Sequence, residues 1–132
     1  MITASIQNHR ISPRKVRLVA DMIRGKNVML AKTILTNASK KAKHPIHNLL
    51  DSAIANALHN HKIDAENLFV QEIRVDQGVV MKRSMPVSHG SAHPIKKRTS
   101  HVSITLAMRV KPESHKSESR KPKPLTKAKK DL

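Results

Sequence analysis

Cysteine, tryptophan and tyrosine are absent from this 132-residue chain, and a single phenylalanine is the one member of the Phe/Tyr/Trp class. Without cysteine there is no disulfide and no thiolate metal site. Without aromatics the core has to be aliphatic, built from Leu, Ile, Val, Ala and Met. The same lack excludes single-strand binding on an aromatic-lined sheet, which needs rings for base stacking. Glycine, with three residues, is too scarce for a phosphate-cradling loop. No apolar run approaches the roughly 20 residues of a membrane span. The opening "MITASIQNHRISPRK" lacks the apolar block of a signal peptide.

Acidic residues are the most telling shortage. There are 9 Asp and Glu against 26 Lys and Arg, a formal net charge of +17, and a pI near 10.9. The few carboxylates are scattered singly, and no Ser, His and Asp arrangement stands out, so nothing marks an enzyme. Self-repulsion at this charge opposes compactness unless a polyanion is present. Nucleic acid is the natural partner, because each neutralised phosphate releases counterions. An anionic membrane surface is the weaker competitor.

The shortage is also local. Residues 1–76 hold 12 basic and 6 acidic residues; residues 77–112 hold 7 basic and none acidic; residues 113–132 hold 7 basic and 3 acidic. Inside the acid-free part lies "MKRSMPVSHGSAHPIKKRTSH" (81–101). Its middle is small and polar, and Lys82, Arg83, Lys96, Lys97 and Arg98 flank that middle. Such a segment has nothing to bury in a core of its own.

Around it the periodicities predict an α+β domain. Ile2, Ala4 and Ile6 alternate with polar residues as in a short strand. "SPRKVRLVADMIRGK" (12–26) reads as a helix: Ser12 at the N-cap, Pro13 in the first position, Gly25 as the stop, and Val16, Val19, Ala20 and Ile23 on one face. Asn27 is placed to cap a second helix carrying Val28, Ala31, Ile34 and Leu35. A third lies between Ser39 and His61, with Ile46, Leu49, Leu50, Ala53, Ile54, Ala57 and Leu58 as its apolar face. Pro45 requires that this helix start at Pro45 or be kinked in its first turns. Leu68, Val70, Ile73 and Val75 are inward positions of an imperfectly alternating strand. Val102, Ile104, Leu106 and Met108 are those of a cleaner one. These two strands bracket residues 79–101 as an antiparallel arm turning near Gly90. From Lys82 to Gly90 such an arm reaches about 26 Å, against a radius of gyration near 13 Å for a domain of this size.

The basic set Arg14, Lys15, Arg17, Arg24 and Lys26 surrounds the first helix. The arm's five cations would oppose one another across its strands. Both arrangements fit phosphate contact better than a solvated surface. Histidine pairs at 44 and 47, 59 and 61, and 89 and 93 lack the partner spacing of a zinc motif, so neither metal nor cofactor is expected. The final "KPESHKSESRKPKPLTKAKKDL" has almost nothing to bury and is expected to be disordered alone. A DNA-architectural protein with Pro86 or Pro94 as a groove wedge is the alternative from another class.

Four segments, "SPRKVRLVADMIRGK" (12–26), "SAIANALHN" (52–60), "VDQG" with "MKRSMP" (75–86) and "KKRTSHVSI" (96–104), closely resemble the bacterial-type ribosomal protein twenty-two family of the large subunit. The resemblance covers roughly residues 9–108, in order and at matching spacing. It implies three helices packed on a small three-stranded antiparallel sheet, with a long protruding β-hairpin. In domain terms it implies a body with its hairpin over 1–110, the hairpin at about 79–101, and a basic tail over 111–132. It further implies a structural, non-enzymatic monomer within a cytoplasmic ribosome of bacterial or organellar type, with no membrane partner. Such a protein binds 23S-type rRNA in several domains, assists early assembly, and sits near the tunnel exit. Its hairpin lines the nascent-peptide tunnel at the constriction beside ribosomal protein four, and hairpin lesions in the family alter macrolide response. By position, Lys82, Arg83, Lys96, Lys97, Arg98, Thr99 and Ser100 match the rRNA-contacting part of the hairpin. The set Arg14, Lys15, Arg17, Arg24 and Lys26 matches the first-helix motif. Met85, Pro86, Val87, Ser88, His89, Gly90, Ser91, Ala92 and His93 form the tunnel-facing tip. There the chain departs from the family's usual "MPRAKGRADRI". Val87 and Ser91 stand where arginines are usual, His89 replaces Lys, and Pro94 replaces a basic residue. Pro45 is a second departure.

Overall fold

A computed structural model describes residues 2–108. The expected disordered tail at 111–132 lies outside the described residues. The chain is α+β. Strand β1 (Ile2–His9) leads into helices α1 (Pro13–Ile23), α2 (Val28–Asn37) and α3 (Lys43–His61), and then into strands β2 (Leu68–Pro86) and β3 (Ala92–Met108). The three strands form one antiparallel sheet in the order β1-β3-β2. β3 is therefore central.

Local signals set the helix ends. Pro13 opens α1, where its missing N–H costs no hydrogen bond. Ser12 is the N-cap residue, but its side chain makes no capping bond; its carbonyl accepts from the N–H groups of Lys15 and Val16. The Asn27 side chain does cap α2, accepting from Met29 N at 3.0 Å. Pro45 neither starts nor kinks α3. The helix begins at Lys43, so Pro45 falls in the first turn, where an N–H would have no intrahelical partner.

The helices cover one face of the sheet. Val16, Val19, Ala20 and Ile23 of α1, Ala31 and Leu35 of α2, and Ile46, Leu49, Leu50, Ala53 and Ala57 of α3 form one cluster with Val70, Ile73, Val75, Val102, Ile104 and Leu106. Ile34 and Ile54 are partly buried against it, and two expected core positions are exposed. Leu58, on the flank of the α3 stripe, is 57% exposed, and Met108, the last residue of β3, is also 57% exposed. The imperfect alternation of β2 has a cause: the register shifts between Val70 and Glu72. One inserted residue carries the inward set from Val70 to Ile73 instead of Glu72.

A second register shift lies between Gln77 and Val80. It marks the root of the arm. Inside it Val75 and Val102 are buried; outside it the two strands continue paired to Pro86 and Ala92 with no helix over them. β1 pairs with β3 only as far as His9 and Ser100. Among the described residues both outer edges of the arm are thus open.

Gly78 sits in that root under close approach. A Cβ built there would lie 2.5 Å from Thr99 Oγ1 and 3.1 Å from His101 Nε2. Thr99 Oγ1 cannot swing away freely, because it donates to Val79 O at 2.7 Å. Gly78→Val is expected to lower stability by about 1–3 kcal/mol through overpacking. Urea unfolding measures it, and an unchanged midpoint would show that the root relaxes without cost.

Candidate nucleic-acid interface

Register decides which arm cations share a side. Lys82 pairs directly with Lys96, Val80 with Arg98, Met81 with Lys97 and Arg83 with Ile95. Alternation puts Lys82, Lys96 and Arg98 on the side continuous with the helix-covered face, and Arg83 and Lys97 on the other. All five are exposed. The arm is therefore cationic on both faces, with two lysines opposed across the strands, an arrangement that destabilises an isolated hairpin. The carboxylates do not relieve it. The ion pairs among the described residues are Asp21 with Arg24, Asp51 with Lys32, and Glu72 with Arg74, all in the body.

The basic set on α1 divides into two groups. β2 is an edge strand of the sheet, and α1 lies along it. Arg17 Nε and Nη2 donate to Val75 O at 3.2 and 2.9 Å. Arg24, two turns on, donates from Nη2 to Ile73 O at 3.2 Å while its Nη1 meets Asp21 at 2.8 Å. The connection after α1 completes the cover: Gly25 N donates to Val70 O, and Val70 N to Lys26 O. Arg17 and Arg24 thus act as edge shields, a role that the expectation of phosphate contact had missed. Lys26 is half-buried; Arg14 and Lys15 are exposed.

Thr99 and Ser100 differ from the exposed cations beside them. They were expected beside the basic run as RNA contacts, but Thr99 is 4% exposed and Ser100 fully buried. Ser100 shares the helix-covered side with Val102, whereas Thr99, on the other side, lies against Gly78 and donates to Val79 O, so neither hydroxyl is presented at the surface. Among the described residues Ser100 Oγ has no hydrogen-bond partner.

Where the arm leaves the body, a cleft of about 440 Å³ is lined by Ser12, Pro13, Arg14, Arg17, Gln77 and Arg98. It brings the first helix and the arm's basic run to one place. Ser12 and Gln77 were not among the expected interface residues; nothing local marks either, since the cleft joins segments far apart in sequence.

The tip, Met85 to His93, is exposed throughout. Met85 pairs with His93 and Pro86 with Ala92. The turn between them is closed by Val87 N donating to Ser91 O at 2.9 Å and by Ser91 Oγ donating to Ser88 O at 2.9 Å. His89 (φ 57°) and Gly90 (φ 73°) take left-handed conformations in succession. Gly90 accepts this without strain, whereas His89 does not. Among the described residues no three His, Asp or Glu side chains are placed to hold a metal ion.

A small α+β body carrying a long, doubly cationic arm that it leaves uncovered defines the class: a basic protein whose extension is built for burial elsewhere. Comparison with known proteins names the family. Residues 4–107 match the family model "Ribosomal protein L22p/L17e". The chain is 54% identical over 107 residues to a large ribosomal subunit protein uL22 of Mycoplasmopsis agalactiae, covering 81% of this chain and 94% of that one. It is 51% identical over 98 residues to uL22 of Deinococcus radiodurans, covering 74% and 73%. With uL22 of Desulfitobacterium hafniense it shares 50% identity over 97 residues, covering 74% and 85%. The chain belongs to the L22p/L17e family of ribosomal proteins.

Proposed function

We propose that the chain is a structural constituent of the large ribosomal subunit that binds its rRNA and acts by electrostatic clamping. The body docks on folded rRNA, and the arm enters between RNA segments with phosphates against both of its faces. The observation that carries this is the unpaired opposition of Lys82 and Lys96, with Arg98 on the same side and Arg83 and Lys97 on the reverse. No acidic residue occurs from 77 to 108 to neutralise them. A strand pair that repels itself in water becomes favourable once phosphates replace the counterions. The names of the relatives point to the same particle.

In this reading the tip, Met85 to His93, faces the nascent-peptide tunnel beside ribosomal protein four. Without arginine or lysine, it presents a weaker positive field to a passing chain than the rest of the arm does. Sucrose-gradient sedimentation of a cell extract tests the whole reading: the protein is expected in the large-subunit peak, and a photocrosslinker at Val87 is expected to capture nascent peptide. Protein left at the top of the gradient refutes the first part. Crosslinks to rRNA alone refute the second.

A further inference from the structure

We propose that the uncovered face of the sheet is a protein-docking surface, and that a hollow in it seats an arginine side chain from a basic segment of a neighbouring protein. The proposal rests on the large-subunit reading only for where that neighbour is found; the chemistry of the hollow stands on its own residues.

The helices cover one face of the sheet, and register fixes what lies on the other. Ser5, Ser103 and Arg74 form one row across the three strands, and His101 and Asp76 pair in the next. These side chains point away from buried Val102 and Ile104, and each is exposed or half-buried. On this face is a hollow of about 360 Å³, with Ser5, Gln7, Asp76, His101 and Ser103 in its lining. Its charge is opposite in sign to that of the whole molecule. One carboxylate lines it, and neither lysine nor arginine does. Arg74, in the adjacent row, is taken by Glu72 at 3.6 Å. Among the described residues Asp76 makes no ion pair. The cleft at the arm's root, on the α1 side, has three arginines and no carboxylate. Asp76 and Gln77, consecutive in the chain, thus line two sites of opposite character.

That sign decides the occupant. A phosphate beside Asp76 is repelled, so this side of the body is turned away from RNA. A guanidinium is matched. The Asp76 carboxylate can accept two of its N–H bonds, and the Ser5 and Ser103 hydroxyls and the Gln7 side-chain oxygen can accept others. The His101 ring is held beside them. Its Nδ1 accepts from Asn8 N at 3.1 Å, which leaves the ring proton on Nε2 and the ring face for stacking. A lysine fits less well, because its ammonium has no plane to stack. A net charge of +17 holds off small cations at long range. A partner that brings further contacts of its own overcomes that repulsion, which favours a basic segment of a protein assembled against this face over a free metabolite.

N-acetyl-arginine amide is the probe, titrated into the full-length protein at physiological salt, where the long-range repulsion is screened, and followed by NMR. Saturable shifts are expected at Ser5, Gln7, Asp76 and Ser103, with the millimolar affinity that suits a single side chain. Asp76→Asn is expected to weaken binding by at least about fivefold, as loss of a charge-assisted contact does. Asp64→Asn, which removes the same charge from the exposed turn before β2, is expected to change it by less than about twofold. Shifts that do not saturate or that centre elsewhere on the surface, or equal losses in both variants, overturn the arginine site. In the assembled large subunit, a photocrosslinker at Ser5 is expected to capture an arginine-bearing peptide of another protein, with a yield that Asp76→Asn lowers by at least about fivefold. Crosslinks to RNA, to protein without that dependence, or to nothing overturn the docking surface. Protein missing from the large-subunit peak refutes the constituent reading instead, and the titration then decides the hollow by itself.

Discussion

Changing Lys96, Lys97 and Arg98 together to Glu is expected to leave the protein folded and to remove it from the large subunit. Consecutive residues on a strand alternate sides, so this run reaches both faces of the arm. Each reversal replaces an attraction to phosphate by a repulsion. The slope of log affinity against log salt is expected to fall by about three units. Affinity for rRNA at physiological salt is expected to drop by at least about a hundredfold. Folding responds in the opposite direction. A carboxylate at position 96 lies opposite Lys82, and an opposed ion pair contributes about 0.2–1 kcal/mol where two lysines repelled. The signature is a variant at least as stable as the parent by urea unfolding, yet missing from the large-subunit peak of a sucrose gradient. Incorporation at the parental level would sink the clamp.

Ile104→Ala is expected to give the reverse pattern. Ile104 is fully buried in the central strand and pairs with Ala4 on one side and Ile73 on the other. It packs in the cluster shared by all three helices. Truncation leaves a cavity that the surrounding strands cannot close, and costs about 2–5 kcal/mol. That is a large part of the roughly 5–15 kcal/mol a domain of this kind has in total. Calorimetry of the isolated protein is expected to show a clearly lowered Tm, while the salt slope of RNA binding, measured below that Tm, stays at the parental value because no cation has changed. A lowered slope would mean that the core and the charged surface are not separable.

These two variants probe what was most legible in the chain. Helix ends were readable because Pro13, Gly25 and Asn27 act locally. The inward set of β2 was readable from hydrophobicity alone, although its cause, the inserted residue after Val70, was not. The arm's cations were readable because no acid interrupts them and because nothing near them can be buried. What escaped depends on contacts between distant segments. Arg17 and Arg24 differ from Arg14 only in that an edge strand, 49 to 58 residues further along, places its carbonyls beneath them. Thr99 and Ser100 sit beside Arg98 in sequence but are buried in space, Ser100 on the helix-covered side and Thr99 against Gly78 and Val79. Their burial follows from how far the root extends, which no local pattern states. The cleft was hidden for the same reason: Ser12 and Gln77 become neighbours only when α1 lies along β2 with its first turn toward the arm.

The open edges of the arm carry a consequence for the protein before it meets any RNA. Two exposed strand edges are a template on which another copy can add its own strand. Over the body the β2 edge is closed by Arg17, Arg24 and the backbone of Gly25 and Lys26. Along the arm there is no such cover among the described residues, and like charge between copies is what keeps them apart. The lysines to which the clamp reading assigns RNA thus serve first as gatekeepers against self-association. Free protein held at high ionic strength, where that repulsion is screened, loses this protection while its edges remain exposed.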